Sequence, residues 1–357
     1  MDLPLIRRYP GTASLPRIEL GDLPTPVEVL DLGLDLTGLL VKRDDLTSSL
    51  YGGNKVRKLE WLFGQARAQG AKAVLTFGAY GSNHALATAV HAKALGLEPH
   101  VVLSPQEPGP FAARTLRAHA GLGTVIHLAD GWDGRREAVK ARAHLIERDG
   151  VEPYVIPMGG TDRHGTIGYV NAALELTEQI EADVVYVPGG TLGTAVGLAL
   201  GFAAAEKDTR VVAVRVTPAE VANAEFATDL ALQTSWLLSL ADADFPQIPL
   251  RECAFELRDD WFEPGYGIVT PETRDAVEFA ASAGLGLETT YTGKAFAALL
   301  ADADAGDLVG ERVVFWDTYN SAPMPAVGDD ELLPPQLQAY VAECDRLFAG
   351  DPEAALP

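Results

Sequence analysis

The sequence has little cysteine: two residues in 357, Cys253 and Cys344, with no C-x-x-C pair. That count excludes a disulfide framework and a thiolate metal centre, and no metal-ligand spacing replaces them. A reducing, cytoplasmic setting is the expectation. Positive charge is also scarce. Lys and Arg total 28 against 50 Asp and Glu, a formal charge of -22, which is the wrong sign for holding a nucleic-acid backbone or an anionic membrane. Lysine is the rarer of the two cations, with eight in the chain, so chemistry that needs an amine has few candidates. The opening MDLPLIRRYPGTASLPRIEL has no apolar run long enough for a secretion signal. A single stretch, Val184 to Ala205, is long and uncharged enough to imitate a membrane span. Pro188-Gly189-Gly190 and Gly193 interrupt it, and its start is β-branched and aromatic, so it reads as strand, glycine loop and helix.

What is present is a globular composition, 47% hydrophobic and 22% charged, and a length that predicts two packed domains or one large elaborated one. Short apolar runs alternate with helical periodicity, the pattern of an α/β protein with largely parallel sheets. Strands are expected at Ala73 to Phe77, His100 to Leu103, Thr124 to Leu128, Tyr154 to Ile156, Val184 to Val187, Val211 to Val216 and Val313 to Trp316. Helices are expected at Asn54 to Gln69, Asn83 to Leu95, Gly134 to Glu147, Gly193 to Ala204, Ala219 to Leu240, Pro271 to Ala283 and Gly293 to Ala301. The acidic patches Ala241 to Asp244 and Ala301 to Asp307 read as solvated turns. Gln336 to Phe348 reads as an amphipathic helix docked on the body.

Three glycine-bearing loops carry the chemistry. In Gly52-Gly53-Asn54-Lys55 the glycines release the chain, Asn54 can cap a helix and Lys55 falls in its first turn. A cation there opposes the helix dipole by a few tenths to ~1 kcal/mol, so structure alone does not favour it. The same field disfavours the charged amine, as a Schiff-base lysine requires; an ordinary surface lysine is the plainer alternative. In Gly78-Ala79-Tyr80-Gly81-Ser82-Asn83-His84, Ser82 and the amides after it can hold a carboxylate or phosphate, although a simple Ser cap also accounts for Ser82. His84 is either a ligand or base, or a packed, hydrogen-bonded side chain. In Pro188-Gly189-Gly190-Thr191-Leu192-Gly193-Thr194, small residues and two hydroxyls make a phosphate cradle with neither Walker nor dinucleotide spacing. An anion cradle, a helix-start lysine and a carboxylate site together fit a small phosphate-bearing aldehyde cofactor.

These segments, with Lys42-Arg43-Asp44-Asp45, Val56-Arg57-Lys58-Leu59-Glu60, Gly159-Gly160-Thr161, Gly165 and Gly168-Tyr169, resemble the 1-aminocyclopropane-1-carboxylate deaminase and D-cysteine desulfhydrase family from about Leu30 to Pro323. The resemblance implies pyridoxal 5'-phosphate as cofactor and the tryptophan-synthase β-like fold (fold type II). It implies a larger domain of residues 1-51 plus 159-357, a smaller inserted one of residues 52-158, the cofactor between them, and a homodimer acting on a small amino acid. Lys55 is then the lysine that bonds the cofactor and later moves the α-proton. Asn83 is the partner of the cofactor's 3-hydroxyl, and Ser82, with Asn83 and His84, holds the substrate carboxylate. Gly190, Thr191, Leu192, Gly193 and Thr194 bind the phosphate, and Tyr266 and Tyr291 match two active-site tyrosines.

The deaminases carry Glu after the second tyrosine, facing the pyridine nitrogen; this chain has Thr292, as the desulfhydrases do, and Thr318 matches a second threonine of theirs. A hydroxyl there need not keep the ring protonated, and expelling a β-thiolate demands less of the ring than opening a cyclopropane. The implied reaction is α,β-elimination from a β-substituted amino acid, releasing pyruvate, ammonia and sulfide. The cyclopropane deaminase, a cysteate-type sulfo-lyase and a catalytically silent amino-acid-binding protein stand as alternatives. Two departures touch the substrate side: Gly81 where the family has Gln, and Phe315-Trp316-Asp317-Thr318-Tyr319-Asn320-Ser321 where it has His-Thr-Gly-Gly.

Overall fold

The structure, a computed structural model, describes residues 2–33, 38–131 and 134–350. Its contacts divide the chain into two compact units, Met1–Trp61 with Thr161–Ser321, and Leu62–Gly160 with Ala322–Pro357. Among the described residues ten strands occur: β1 (Val27–Val29), β2 (Leu39–Arg43), β3 (Ala73–Ala79), β4 (Glu98–Ser104), β5 (Val125–Leu128), β6 (Tyr154–Val155), β7 (Val184–Gly189), β8 (Arg210–Arg215), β9 (Phe255–Arg258) and β10 (Val313–Asp317).

The first unit holds a six-stranded sheet in the order β1-β2-β10-β7-β8-β9, parallel except for β1. Side chains alternate between two cores, as strand geometry requires. Val185, Val187, Val211, Ala213, Val314 and Trp316 join the core under the helices Arg163–Gln179, Gly193–Ala204 and Ala224–Ala241. Their neighbours Val184, Tyr186, Val212, Val214, Val313 and Phe315 face the helices Pro271–Ser282 and Thr292–Ala305. Both faces are covered, which is why these strands read as continuous apolar runs. The uncharged stretch is a six-residue strand and a twelve-residue helix. Among the described residues no helix is long and apolar enough to cross a membrane.

The second unit has a parallel sheet, β5-β4-β3-β6. One of its cores joins Tyr80, Val101, Leu103 and Leu116 to Leu337, Val341 and Cys344 of the C-terminal helix Pro335–Leu347. Arg117 adds ion pairs to Asp330 and Asp345. This packing groups residues 322–350 with the second unit, whereas the sequence reading attached them to the larger domain. The first boundary also lies later, inside the helix Lys55–Ala68.

Strands β2 and β9 and the helices Pro110–Leu122 and Arg163–Gln179 lie outside the segments that periodicity picked out. Strand β2 reads Leu-Leu-Val-Lys-Arg, and its Lys42 is fully buried because Glu175 accepts from Nζ at 2.6 Å. Glu175 belongs to a larger buried cluster centred on Arg57. The guanidinium donates to both Asp44 oxygens at 2.8–3.0 Å and to both Glu175 oxygens at 2.8 and 2.9 Å. Tyr169 Oη and Trp316 Nε1 each donate to Asp44 Oδ2 at 2.7 Å.

Burial works against the charged form of Glu175, but Arg57 and Lys42 outweigh it and draw the carboxyl down to about 2. A depressed carboxyl contributes stability that is complete above its unfolded pKa and is lost as pH falls toward the folded one. Arg57→Ala strands two buried carboxylates, and we expect it to cost about 3–5 kcal/mol in urea unfolding at pH 7. The gap between wild type and variant should narrow between about pH 4.5 and 2. A variant as stable as wild type at pH 7 would contradict this account.

Candidate active site

Lys55 is the first residue of the helix whose third residue is Arg57, so the ion cluster fixes its position. The approach is set by Gly53, at φ +88°, where a Cβ would lie 2.8 Å from the Tyr319 carbonyl oxygen and 2.9 Å from that of Thr318. Asn54 N–H donates to the Thr318 carbonyl at 3.2 Å, and Gly52 N–H to Asn320 Oδ1 at 2.6 Å. The loop after β10 thus lies directly on the segment that carries the lysine. Lys55 is half-buried, and Nζ donates to Asn54 Oδ1 at 2.7 Å. Burial lowers its pKa to about 8, with the Glu288 carboxylate opposing the shift. An amine so poised has a neutral fraction near physiological pH far larger than an ordinary lysine's, as a nucleophile requires.

The glycine loop after β7 turns into the helix Gly193–Ala204 at Leu192, whose φ is +58° and whose side chain is buried in the core. No side chain at the cap position satisfies that helix start. Around it stand hydroxyl donors and a lysine amine. Thr161 and Thr191 share a 2.7 Å hydrogen bond, Lys58 Nζ donates to Thr161 Oγ1 at 3.1 Å, and Asn54 Nδ2 donates to Thr194 Oγ1 at 3.0 Å. A Cβ on Gly193 would fall 2.6 Å from Thr161 Oγ1 and 3.0 Å from Lys58 Nζ, so only glycine fits. Lys58 is buried, and burial first, then neighbouring Lys55, pulls its pKa well down. The buried Lys58 amine, hydroxyls and open helix amides form a donor set for a phosphate, whose charge would favour the protonated amine. Lys58 and Thr161 stood in the sequence motifs without a role. The spacing of three from Lys55 to Lys58, one helical face, was the available signal.

Tyr266 and Tyr291 are brought together, hydroxyl to hydroxyl at 2.6 Å, and both are half-buried. Burial pushes Tyr266 up to about 12, with the Tyr291 hydrogen bond pulling the other way. Lys294 holds the Tyr266 turn by donating to the carbonyls of Phe262 and Gly265 at 2.9 and 3.2 Å. Glu288, absent from the sequence reading, organises the rest. Its half-buried carboxylate accepts the N–H groups of Thr290, Tyr291 and Thr292 at 2.7–2.8 Å, anchoring the helix Thr292–Ala305. Burial raises its pKa against the pull of those donors.

Thr292 is fully buried. Its Oγ1 accepts Glu288 N–H at 2.9 Å and has Glu288 carbonyl and carboxylate oxygens at 3.1 Å for its one proton. Thr318, 9% exposed, offers its carbonyl to Asn54, and its hydroxyl makes no hydrogen bond among the described residues. Of the two threonines expected at the cofactor ring, Thr318 is therefore the one with a hydroxyl to spare. Next to it, Asp317 is buried, and burial first and then Asp45 push its carboxyl well up.

Ser82, Asn83 and His84 belong to the second unit. Ser82 caps the helix Asn83–Ala94, its Oγ accepting Ala85 N–H at 3.2 Å, and Asn83 is half-buried at the helix start. His84 is buried, with Nε2 2.8 Å from Thr76 Oγ1. The Thr76 hydroxyl gives its proton to the Ile156 carbonyl at 2.9 Å, so His84 donates from Nε2.

An amine of lowered pKa, tied through Asn54 to an anion cradle beside a second, buried lysine, fits a phosphate-bearing aldehyde. A family model for pyridoxal-phosphate dependent enzymes matches residues 18–318, and the chain belongs to that family. Its cofactor is pyridoxal 5'-phosphate. The chain is 36% identical over 299 residues to the D-cysteine desulfhydrase of Salmonella schwarzengrund (strain CVM19633), covering 80% of this chain and 88% of that one. It matches that of Salmonella newport (strain SL254) at the same identity and coverage. Of solved structures, an ACC deaminase homologue superposes with TM-score 0.75 at 32% identity, over 90% of this chain and 96% of that one. Threonine deaminase isoform 2 of Solanum lycopersicum, at TM-score 0.56 and 18% identity over 97% and 87%, shares the fold. The architecture is that of the fold-type II pyridoxal-phosphate enzymes.

Gly193→Ala places a methyl against Thr161 and Lys58. We expect the protein to fold and its affinity for pyridoxal phosphate, titrated by absorbance, to drop at least about tenfold, a loss of about 1.4 kcal/mol. Unchanged affinity would remove this loop from the cofactor site.

Proposed function

We propose that this enzyme is a lyase that eliminates the β-substituent of a small amino acid, with D-cysteine as the type substrate, releasing sulfide, pyruvate and ammonia. The observation that carries the reading is the poised amine of Lys55 in one unit with the hydrogen-bonded Tyr266–Tyr291 pair. The 36% identity to D-cysteine desulfhydrases favours this substrate class over the cyclopropane ring. A cytoplasmic homodimer is part of the reading, on family analogy.

When bound, the cofactor supplies an electron sink for the pair left on the substrate α-carbon. Lys55 Nζ, neutral in part at pH 7, takes the α-proton and is the base of the reaction. The tyrosine pair shares a proton along a 2.6 Å contact, so one hydroxyl donates to the departing sulfur while the other replenishes it. Ser82, Asn83 and His84 hold the substrate carboxylate, and Lys58, Thr161, Thr191 and the amides from Gly190 to Thr194 hold the phosphate. Thr318 supplies the hydroxyl at the ring nitrogen, and Thr292 serves the helix start through Glu288.

The test is 2-oxoacid release: pyruvate from D- and L-cysteine, β-chloroalanine, cysteate and serine, and the four-carbon 2-oxobutanoate from 1-aminocyclopropane-1-carboxylate. D-Cysteine should give the highest kcat/KM, and Lys55→Ala should lose both the yellow absorbance and all release. In the same assay Thr318→Val should change the cofactor's absorbance and rate, whereas Thr292→Val should chiefly lower the melting temperature. Highest turnover of the cyclic substrate would replace this reading by the deaminase. A yellow protein inert toward all six would replace it by a binding role.

A further inference from the structure

Gly81 leaves a gap in the motif before Ser82, and the fold fills it from elsewhere. Gln106, in the loop after β4, brings its amide to the same turn. Gly81 N–H donates to Gln106 Oε1 at 2.9 Å. A Cβ on Gly81 would lie 3.2 Å from Gln106 Nε2 and 3.2 Å from Ala112 Cβ, so a side chain at position 81 and the Gln106 amide compete for one space. The hydrogen bond also fixes which way the amide faces. An N–H can be met only by the carbonyl oxygen, so the NH₂ end, which lies beside the Gly81 Cα, takes no part in that bond and makes no hydrogen bond among the described residues.

The loop that presents Gln106 is held on both sides. Pro105, Pro108 and Pro110 restrict it. Tyr80 N–H donates to the Ser104 carbonyl at 3.2 Å, tying the start of the loop to the residue before Gly81. Tyr340, on the C-terminal helix, donates from its hydroxyl to the Glu107 carbonyl at 2.9 Å and packs edge-on against Tyr80 with centroids 4.9 Å apart. One side chain of that helix thus touches the residues next to both Gly81 and Gln106.

We propose that Gln106 is a specificity-determining residue. Its amide NH₂ donates to the α-carboxylate of the amino-acid substrate at the Ser82 turn, replacing in space the glutamine that Gly81 removes from the chain, and Tyr340 is the positioning residue that holds it there. The proposal rests on the reading of Ser82 to His84 as the carboxylate site. Ser82 Oγ accepts from Ala85 N–H and keeps its one O–H to donate, so the Gln106 amide adds a second side-chain donor at this turn. A donor brought in from a separate loop makes affinity for the carboxylate depend on how that loop is held.

The experiment uses the holoenzyme and two readouts: steady-state pyruvate release from D-cysteine, and the absorbance change on titration with D-alanine, which has the carboxylate but no leaving group. Gln106 is half-exposed, so its variants should melt with wild type. Gln106→Ala should raise KM and the D-alanine dissociation constant about tenfold with kcat within twofold. Gln106→Glu, which sets carboxylate against carboxylate, should raise them further. Gly81→Gln in the Gln106→Ala background should return both toward wild type, and Tyr340→Phe should raise them about threefold. D-Alanine affinity within twofold of wild type in both Gln106 variants would overturn the proposal. Failure of the elimination reading shows separately, as absence of pyruvate from the wild-type enzyme while the D-alanine comparison still reports on Gln106.

Discussion

Everything in the first unit hangs on the guanidinium of Arg57. Asp44 follows β2, Glu175 and Tyr169 stand on the helix Arg163–Gln179, Trp316 is on β10, and all meet at or beside one buried cation. Burying so many charges does not stabilise a fold cheaply, since desolvation cancels much of the attraction. What it fixes is geometry. With Arg57 held by two bidentate carboxylates, the first turn of its helix has one place to go, and Lys55 and Lys58 go with it.

The second consequence is electrostatic. The chain carries a net charge of -22, yet the site brings together two lysines of lowered pKa, a helix start and a set of hydroxyls. Surface charge governs solubility, whereas binding depends on the local field. Glu288 spends its oxygens on backbone N–H groups and acts on Lys55 at a distance. It steadies the amine without competing with a bound phosphate.

Much of this was legible in the sequence. The strand, glycine loop and helix from Val184 to Ala204 fall where composition placed them, because apolar runs and glycine breaks are local signals. The docked tail helix, expected over Gln336 to Phe348, is Pro335–Leu347. Other features depend on long-range partners and could not be read locally. Lys42 and Arg43 disguise β2 until Glu175, 133 residues away, meets Lys42. The helix Arg163–Gln179 opens with Gly165-Thr166-Ile167-Gly168, poor formers that Asp162 offsets by capping His164 and Gly165. Of the candidate site, Lys55 and the glycine loop after β7 stood out as motifs, and both tyrosines through the family resemblance. Thr161 and Glu288 matter only through neighbours the fold provides, and Gln106 lies 25 residues from the glycine whose missing side chain it replaces. The second threonine shows the same limit: the sequence ranks Thr292 and Thr318 alike, and only packing shows that one hydroxyl is already spent.

The central claim is that the fold selects one amine. Lys55, Lys58 and Lys294 are all in the first unit with lowered pKa values, but Lys58 faces the phosphate cradle and Lys294 is committed to two carbonyls. Borohydride reduction of the holoenzyme followed by peptide mass mapping reads this directly. The account predicts a single phosphopyridoxyl group, on Lys55; label on Lys58 or Lys294 would contradict it.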